Sequence, residues 1–422
     1  MTLRSFTLAL LITFVLPASG CAQQHDCGFK ANPAVRAPLI PDSLGVNIHF
    51  ADARPGELEM LSRAGFRWVR MDLKWDLTET AKGEYDFAPY DRLMTALAEN
   101  HLQALFILDY TNPLYDDGAP PRTENSRRAF ASWAVAAAKH FAGRKVIWET
   151  YNEPNIAQFW PPQPNSKDYV ALALAVARAF RDAVPDEQLI GPATAGIDFP
   201  FLEACFKAGL LDYWSAVSVH PYRRSDPETT ANDYCRLRAM IQSYSPKKTV
   251  PIISGEWGYS SAWPLMSEDK QGRMLARQWL TNVATEISLS IWYDWQDDGA
   301  DPNEPEHHFG VVANSYYENR ANPFAPKPAY LAAKTFTTFF NGYQFEKRIA
   351  VANPDDYVLV FRNQNNNVRV AVWTTNRPHD VMIPLSPGNY ETSDHTGGSA
   401  AVVHADAKGL SLTLSTAPIY VR

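Results

Sequence analysis

Eight short apolar runs, rich in Val, Ile, Phe and Trp, alternate with longer stretches of helical period, and no other feature restricts the possible folds as strongly. The runs are Leu44–Phe50, Trp68–Trp75, Gln103–Tyr110, Val146–Asn152, Leu189–Thr194, Ala216–His220, Pro251–Glu256 and Leu289–Trp295. Each is almost continuously hydrophobic, as a strand covered on both faces must be, so the spacing predicts parallel strands with crossover helices. Helical period is clearest over Asn125–Phe141, Ser166–Ala183, Asp269–Glu286 and Ala329–Phe340, the last opening just after Pro326 and Pro328. Eight such units suffice to close a ring. The expected fold class is α/β, a (β/α)8 TIM barrel over residues 43–342. From Tyr343 the pattern changes to period-two runs, Tyr357–Arg362, Val368–Thr374 and Leu410–Leu414, separated by turn-forming Gln364–Asn367 and Ser386–Asn389. Residues 343–422 are therefore expected to form a small β-sandwich, an accessory module that stabilises the barrel.

A chain of 422 residues with 46% hydrophobic and 20% charged residues has an ordinary globular balance and can bury a large core. Its net charge is -7 and no Lys/Arg run forms a basic patch, which argues against a nucleic acid partner. Twelve Trp and 19 Tyr exceed what packing needs and suit flat apolar ligands such as sugar faces. At the N-terminus, Leu8–Leu16 follows Arg4 and ends in Pro17-Ala18-Ser19-Gly20-Cys21, a signal-peptide pattern over 1–22 that is too short to span a bilayer. Export is expected, to the periplasm, the outer membrane or the exterior. Ala18-Ser19-Gly20-Cys21 resembles a bacterial lipobox, with Ala18 where Leu is usual; lipid attachment at Cys21 and ordinary cleavage after Ala22 are both open readings. A polar leader follows to residue 42. Cys205 and Cys235 fall in consecutive predicted helices, where they either pair or remain buried thiols. No CxxC or His/Cys cluster suggests a metal.

Catalytic groups of a (β/α)8 barrel project from the C-terminal ends of its strands. Strand four ends Trp148-Glu149-Thr150-Tyr151-Asn152-Glu153-Pro154-Asn155, and strand seven ends Ser254-Gly255-Glu256-Trp257-Gly258. A glutamate thus leaves each of two strands that face one another across the barrel mouth. Two carboxyl groups about 5–5.5 Å apart on either side of a glycosidic bond make a retaining pair. That chemistry needs one protonated carboxyl, well above the ordinary glutamate value of about 4.3, beside one ionised carboxyl. Glu153 is the expected acid/base and Glu256 the expected nucleophile. Asn152 is placed to donate to the sugar's 2-hydroxyl, and Arg70 on strand two to hold Glu256 ionised, unless it merely neutralises a buried acid such as Asp72.

With these residues in view, Trp148–Trp160, reading WETYNEPNIAQFW, resembles the acid/base segment of clan A glycoside hydrolases, most closely family 39. Asn-Glu-Pro after strand four is that clan's signature. Glu256 in SGEWGYS is similar to the nucleophile segment, His220-Pro221-Tyr222 to the strand-six motif, Trp295 to the strand-eight aromatic, and Arg70 in WVRMDLKW to the strand-two arginine. The resemblance spans about 43–342 and is nearest to bacterial exopolysaccharide endoglycosidases, which share the Asn-Glu-Pro-Asn…Phe-Trp run. It implies an endo-acting hydrolase of a bacterial polysaccharide, needing no cofactor and no metal and working as a monomer. An exo-acting β-xylosidase or iduronidase-like enzyme is the alternative, and an inert polysaccharide-binding barrel a third.

His220 and Tyr222 are expected to position Glu256 or touch substrate, although a scaffold histidine reads equally well. Trp75, Trp160, Trp257 and Trp295 are candidates for stacking on sugars, Trp295 and Trp160 first. The segments 110–122 and 156–165, rich in Pro and aromatics, are expected to form cleft walls. The acidic loop 296–323 carries Asp297, Asp298, Asp301, Glu304, Glu306, His307 and His308. It reads first as a solvated loop, then as a calcium site or a contact for a cationic amino sugar; adjacent histidines lack the spacing of a helical metal pair.

Overall fold

The structure, a computed structural model, describes residues 29, 38–314, 324–398 and 400–422. The signal pattern, Cys21 and most of the polar leader lie outside these residues. Strands β1 (Leu44–Asn47), β2 (Trp68–Lys74), β3 (Gln103–Asp109), β4 (Ile147–Thr150), β5 (Gln188–Ala195), β6 (Ala216–His220), β7 (Ile252–Trp257) and β8 (Leu289–Trp292) form a closed parallel barrel. Closure comes from β1 pairing β8, with Leu44 opposite Ser290. The observed strands β1, β4 and β8 stop short of the predicted apolar runs because their last residues turn out of the ladder to build the mouth.

Alternation along the strands divides the side chains between two environments. Leu105, Ile107, Ile147, Ile190, Ile253 and Ile291 fill the lower barrel interior. Phe106, Leu108 and Trp148 face outward into the larger core beneath the helices. Above the apolar floor the interior turns polar, with Arg70, Glu149, Ser218 and Ser254 all buried. Local signals fix the helices. Thr123 caps the helix Glu124–His140 by accepting from Ser126 N, and Asn165 caps Ser166–Ala183 by accepting from Lys167 N. Pro328 opens the helix Pro328–Phe339, where the missing N–H is harmless.

The C-terminal strands β9 (Tyr343–Arg348), β10 (Asp356–Asn363), β11 (Val368–Thr374), β12 (His379–Ile383), β13 (Gly388–Asp394), β14 (Ala400–Ala405), β15 (Leu410–Leu414) and β16 (Ile419–Val421) make two antiparallel sheets. One is six-stranded, in the order β14-β13-β16-β11-β10-β9, and the other is the β12–β15 pair. Val358, Val370, Val372, Val381 and Ile383 close the space between them. The opposite face of the large sheet, with Leu359, Phe361, Ala371, Trp373 and Tyr420, joins the barrel's own core. The helix Glu268–Ala284 is consequently covered by the barrel on one side and by this sheet on the other, which is why Arg277 within it is buried. Arg277 donates to both oxygens of Glu228 at 2.8 and 2.7 Å, and Trp373 Nε1 donates to the same carboxylate at 2.6 Å.

Cys205 is a free, buried thiol, whereas Cys235 is disulfide-bonded. Of the two open readings, Cys205 takes the buried thiol, and a Cys205–Cys235 bridge is excluded. Cys205 sits in the apolar core under Phe199–Lys207, out of reach of that chemistry. No helix among the described residues is long and apolar enough to cross a membrane.

Glu228→Ala should destabilise the protein by about 3 kcal/mol, the cost of stranding a buried arginine, with Asp226 at 3.1 Å compensating in part. Equilibrium urea unfolding measures it, and a loss below 1 kcal/mol would show that Asp226 alone suffices.

Candidate active site

The mouth of the barrel holds a cleft of about 630 Å³ into which Arg70, Asn152, Glu153, Tyr222 and Glu256 all project. A groove of about 730 Å³ lies between the helix Pro328–Phe339 and the accessory sheet. Size alone would favour that groove, but among the described residues lining it Glu391 is the one acidic side chain, so paired-acid chemistry belongs to the cleft.

Backbone geometry aims each glutamate. After β4 the chain makes a tight exit in which Tyr151 and Glu153 adopt φ of 67° and 45°, left-handed values that cost a non-glycine residue on the order of 1–3 kcal/mol. Surrounding contacts enforce it: Glu153 N donates to Ala193 O at 2.9 Å, and Asn155 both accepts from Ala195 N at 2.8 Å and donates to Ala195 O at 3.0 Å. On β7, the register against β8 slips between Ser254 and Trp257, a bulge that turns Glu256 into the mouth. Gly255 makes the bulge fit. A Cβ there would lie 2.3 Å from Ser218 Oγ and 3.0 Å from Glu149 Oε1.

Arg70 links these parts. Its guanidinium donates to Glu149 at 2.7 Å, to Glu256 at 2.6 Å and to Asn152 Oδ1 at 2.8 Å. Arginine has no acceptor, so the Asn152 atom it meets must be oxygen, and the amide N–H groups of Asn152 remain for another partner. The same logic orients His220. Its Nε2 stands 3.3 Å from Arg70, so in the neutral ring the proton lies on Nδ1, 2.8 Å from Glu153 Oε1. Tyr222 donates to the other oxygen of Glu256 at 2.8 Å. Burial and the adjacent Glu256 push the Tyr222 phenol well above its ordinary range, so it keeps the proton it donates. Burial would raise Glu256, but His220 when protonated, Arg70 and the Tyr222 hydroxyl together hold it below the ordinary carboxylate value.

One oxygen each from Glu153 and Glu256, with a ring nitrogen of His220, lie within 4.8 Å of one another. The nearest oxygens of the two carboxyl groups thus lie closer than the roughly 6.5–9.5 Å separation of an inverting pair. Arg70 meets Glu149 and not Asp72, which the sequence had offered as its buried partner. Glu149, unassigned from sequence, is the acid that fixes the guanidinium from below.

The tryptophans are placed differently from expectation. Trp75, Trp160, Trp257 and Trp295 are 0–2% exposed and belong to the core, so none offers a stacking face. Trp160 packs edge-on against Tyr151, and Trp295 donates to Glu57 at 2.9 Å. Tyr110 and Phe159 line the cleft instead from the exits of β3 and β4, their rings stacked 5.4 Å apart, as the wall segments predicted. Trp263, Tyr293 and Phe309 line the opposite side. The described part of the acidic loop is not simply solvated: Asp297 is buried on Lys327 at 2.8 Å, His308 is buried, and Glu306 reaches the cleft.

Comparison with known proteins fits this geometry. The model of the cellulase family, glycosyl hydrolase family 5, matches residues 57–299, more than half of the chain. A β-xylosidase of Geobacillus stearothermophilus is 26% identical over 284 residues, covering 60% of this chain and 52% of the relative. The chain thus spans about half the length of the curated relative it matches. A family 39 glycoside hydrolase from the gut symbiont Bacteroides cellulosilyticus superposes with a TM-score of 0.78 at 26% identity, over 90% of this chain and 81% of that one. A family 39 β-xylosidase from Caulobacter crescentus shares the fold at TM-score 0.64 and 18% identity, over 92% of this chain and 97% of the other.

Gly255→Ala should cost about 1–3 kcal/mol by overpacking the space between Ser218 and Glu149. Denaturant unfolding reads the loss; a midpoint equal to that of the parent would mean the bulge relaxes without strain.

Proposed function

The chain belongs to the cellulase family of glycosyl hydrolases (family 5), with a clan A barrel of family 39-like architecture, and from that premise we propose a retaining glycosidase working through Glu153 and Glu256. The observation that carries this reading is the short separation of the two carboxyl groups combined with their unequal surroundings. Glu256 receives Arg70 and Tyr222, which favour its charged form; Glu153 meets the imidazole of His220. In the first step Glu256 attacks the anomeric carbon while Glu153 gives its proton to the leaving oxygen, and a glycosyl ester forms. In the second, Glu153 takes a proton from water, whose oxygen displaces Glu256 from the same carbon. The free amide N–H of Asn152 donates to the sugar's 2-hydroxyl as the oxocarbenium-like state develops.

Aromatic rings stand on both sides of the acid pair, Tyr110 and Phe159 by β3 and β4, Trp263 and Phe309 by β7 and β8. Sugar platforms on either side of the cleaved bond support endo action on a polysaccharide, here a bacterial exopolysaccharide. The second reading, an exo-acting β-xylosidase, is favoured by the name of the Geobacillus relative. Exported placement belongs to the same proposal, supported by the leader pattern, with lipid attachment at Cys21 and ordinary cleavage after Ala22 as its two forms; a monomeric state is proposed with it.

Glu153→Gln and Glu256→Gln should each lower kcat by roughly 10²–10⁴-fold or more, with the unfolding midpoint retained in Glu153→Gln and lowered in Glu256→Gln, which weakens the pairing of Arg70. Proton NMR of early products should show the substrate's anomeric configuration; inversion would refute the mechanism. Oligomers released by mid-chain cuts distinguish endo action from a stream of monosaccharide.

A pH profile tests the environment of Glu256. Because its folded-state value is depressed, its ionised form persists as pH falls below 4.5, and both activity and its share of stability are lost only lower, as pH drops through the folded value. Tyr222→Phe removes one of the groups that depress it, so the acidic limb should move upward. An unmoved limb would assign that limb to another group.

A further inference from the structure

Beside the catalytic cleft, a second cavity of about 180 Å³ opens near the exits of β1 and β8, and His49 lines both spaces. Three side chains converge at this wall. One donor atom each from His49, Asp294 and Asp298 lies within 4.8 Å of the other two. Asp294 is 0% exposed, yet neither of its oxygens accepts a hydrogen bond. His49 Nε2 stands 3.5 Å from Asp294 Oδ2, at the outer edge of contact. A carboxylate buried in this way carries a heavy desolvation cost unless a cation meets it.

Buried Asp109 shares this state, whereas two neighbouring acid groups are met by donors. Asp297, three residues on, takes Lys327 Nζ at 2.8 Å and Gly310 N at 2.9 Å. The cluster of Glu153, His220 and Glu256 is equally tight, but Arg70, Tyr222 and His220 already supply its donors. At Asp294 the nearest partner is His49, 3.5 Å away, with Asp298 as the third member of the cluster.

We propose that His49, Asp294 and Asp298 form a divalent metal site on the wall of the cleft, of the Zn²⁺ or Mn²⁺ class. One imidazole with two carboxylates is a mixed nitrogen–oxygen set, unlike the six to eight oxygens that calcium gathers. Bonds of about 2.1 Å at near-tetrahedral angles separate two ligand atoms by about 3.4 Å, close to the 3.5 Å between His49 and Asp294. Asp298, on the exposed side, needs only a side-chain adjustment to close the third bond. The ion would pin the loop after β8 to the exit of β1 and fix His49 against the cleft. It supplies no step of bond cleavage, and the site stands whether or not the proposed hydrolysis does.

The test is calorimetric and thermal titration of the chelator-treated, desalted full-length protein with Zn²⁺, Mn²⁺ and Ca²⁺. One equivalent of Zn²⁺ or Mn²⁺ should bind and raise Tm. His49→Ala and Asp298→Asn, at partly exposed positions that spare the fold, should each weaken binding by roughly tenfold or more, while Glu153→Gln and Glu256→Gln leave it unchanged. Absence of saturable binding would reduce the cluster to a bare ion pair and overturn the proposal. So would binding of Ca²⁺ alone, binding that survives both wall substitutions, or binding abolished by the cleft substitutions.

Discussion

A guanidinium buried inside a ring of strands is unstable unless acids surround it, and Arg70 is surrounded by Glu149 below, Glu256 above and Asn152 beside. This arrangement sets the charge of the whole mouth. Arg70, together with His220 when protonated and the Tyr222 hydroxyl, places Glu256 in a field that favours its anion. Glu153 is held through an imidazole instead. Two chemically identical side chains are thereby made unlike before any substrate arrives.

The barrel scaffold makes that asymmetry possible. Arg70 and Glu149 face inward because they occupy inward-facing positions on β2 and β4, above the apolar floor of Leu105, Ile107 and Ile147. The glutamates at the rim follow a different rule. Both leave regular strand geometry, Glu153 in a left-handed turn and Glu256 in a bulge, because a plain ladder would carry them past the mouth. Regularity supplies the platform, and its two local failures supply the orientation.

Much of this was legible in the chain. Eight apolar runs gave the barrel because a parallel sheet leaves its strands no polar face, and the acids at the ends of strands four and seven followed from the barrel. Trp257 was misjudged because it follows Glu256 directly on one strand and packs into the core while Glu256 turns into the mouth. Trp160 and Trp295 depend on loop paths that no period encodes, and so do Trp263 and Phe309, which took the cleft positions expected of them. Glu149 carried a usable signal, an acid inside an otherwise apolar strand, which demands a buried cation. Strands β9, β12, β13, β14 and β16 were not separately readable, being short and half exposed, so that weak alternation is lost among turn residues. The disulfide lay beyond sequence reasoning because helix proximity says nothing about where two sulfur atoms point.

The helix between barrel and accessory sheet has a consequence for how such a protein can be rearranged. Its arginine is neutralised by a glutamate that the accessory Trp373 also grips, while Tyr420 packs on Phe336 and Phe339 of the neighbouring helix and on Phe340 just past its end. A recombination breakpoint near residue 342 would hand the barrel a sticky aromatic scar and the sandwich an uncovered sheet. Transplanting the C-terminal module as an independent cassette would therefore require redesigning both exposed surfaces.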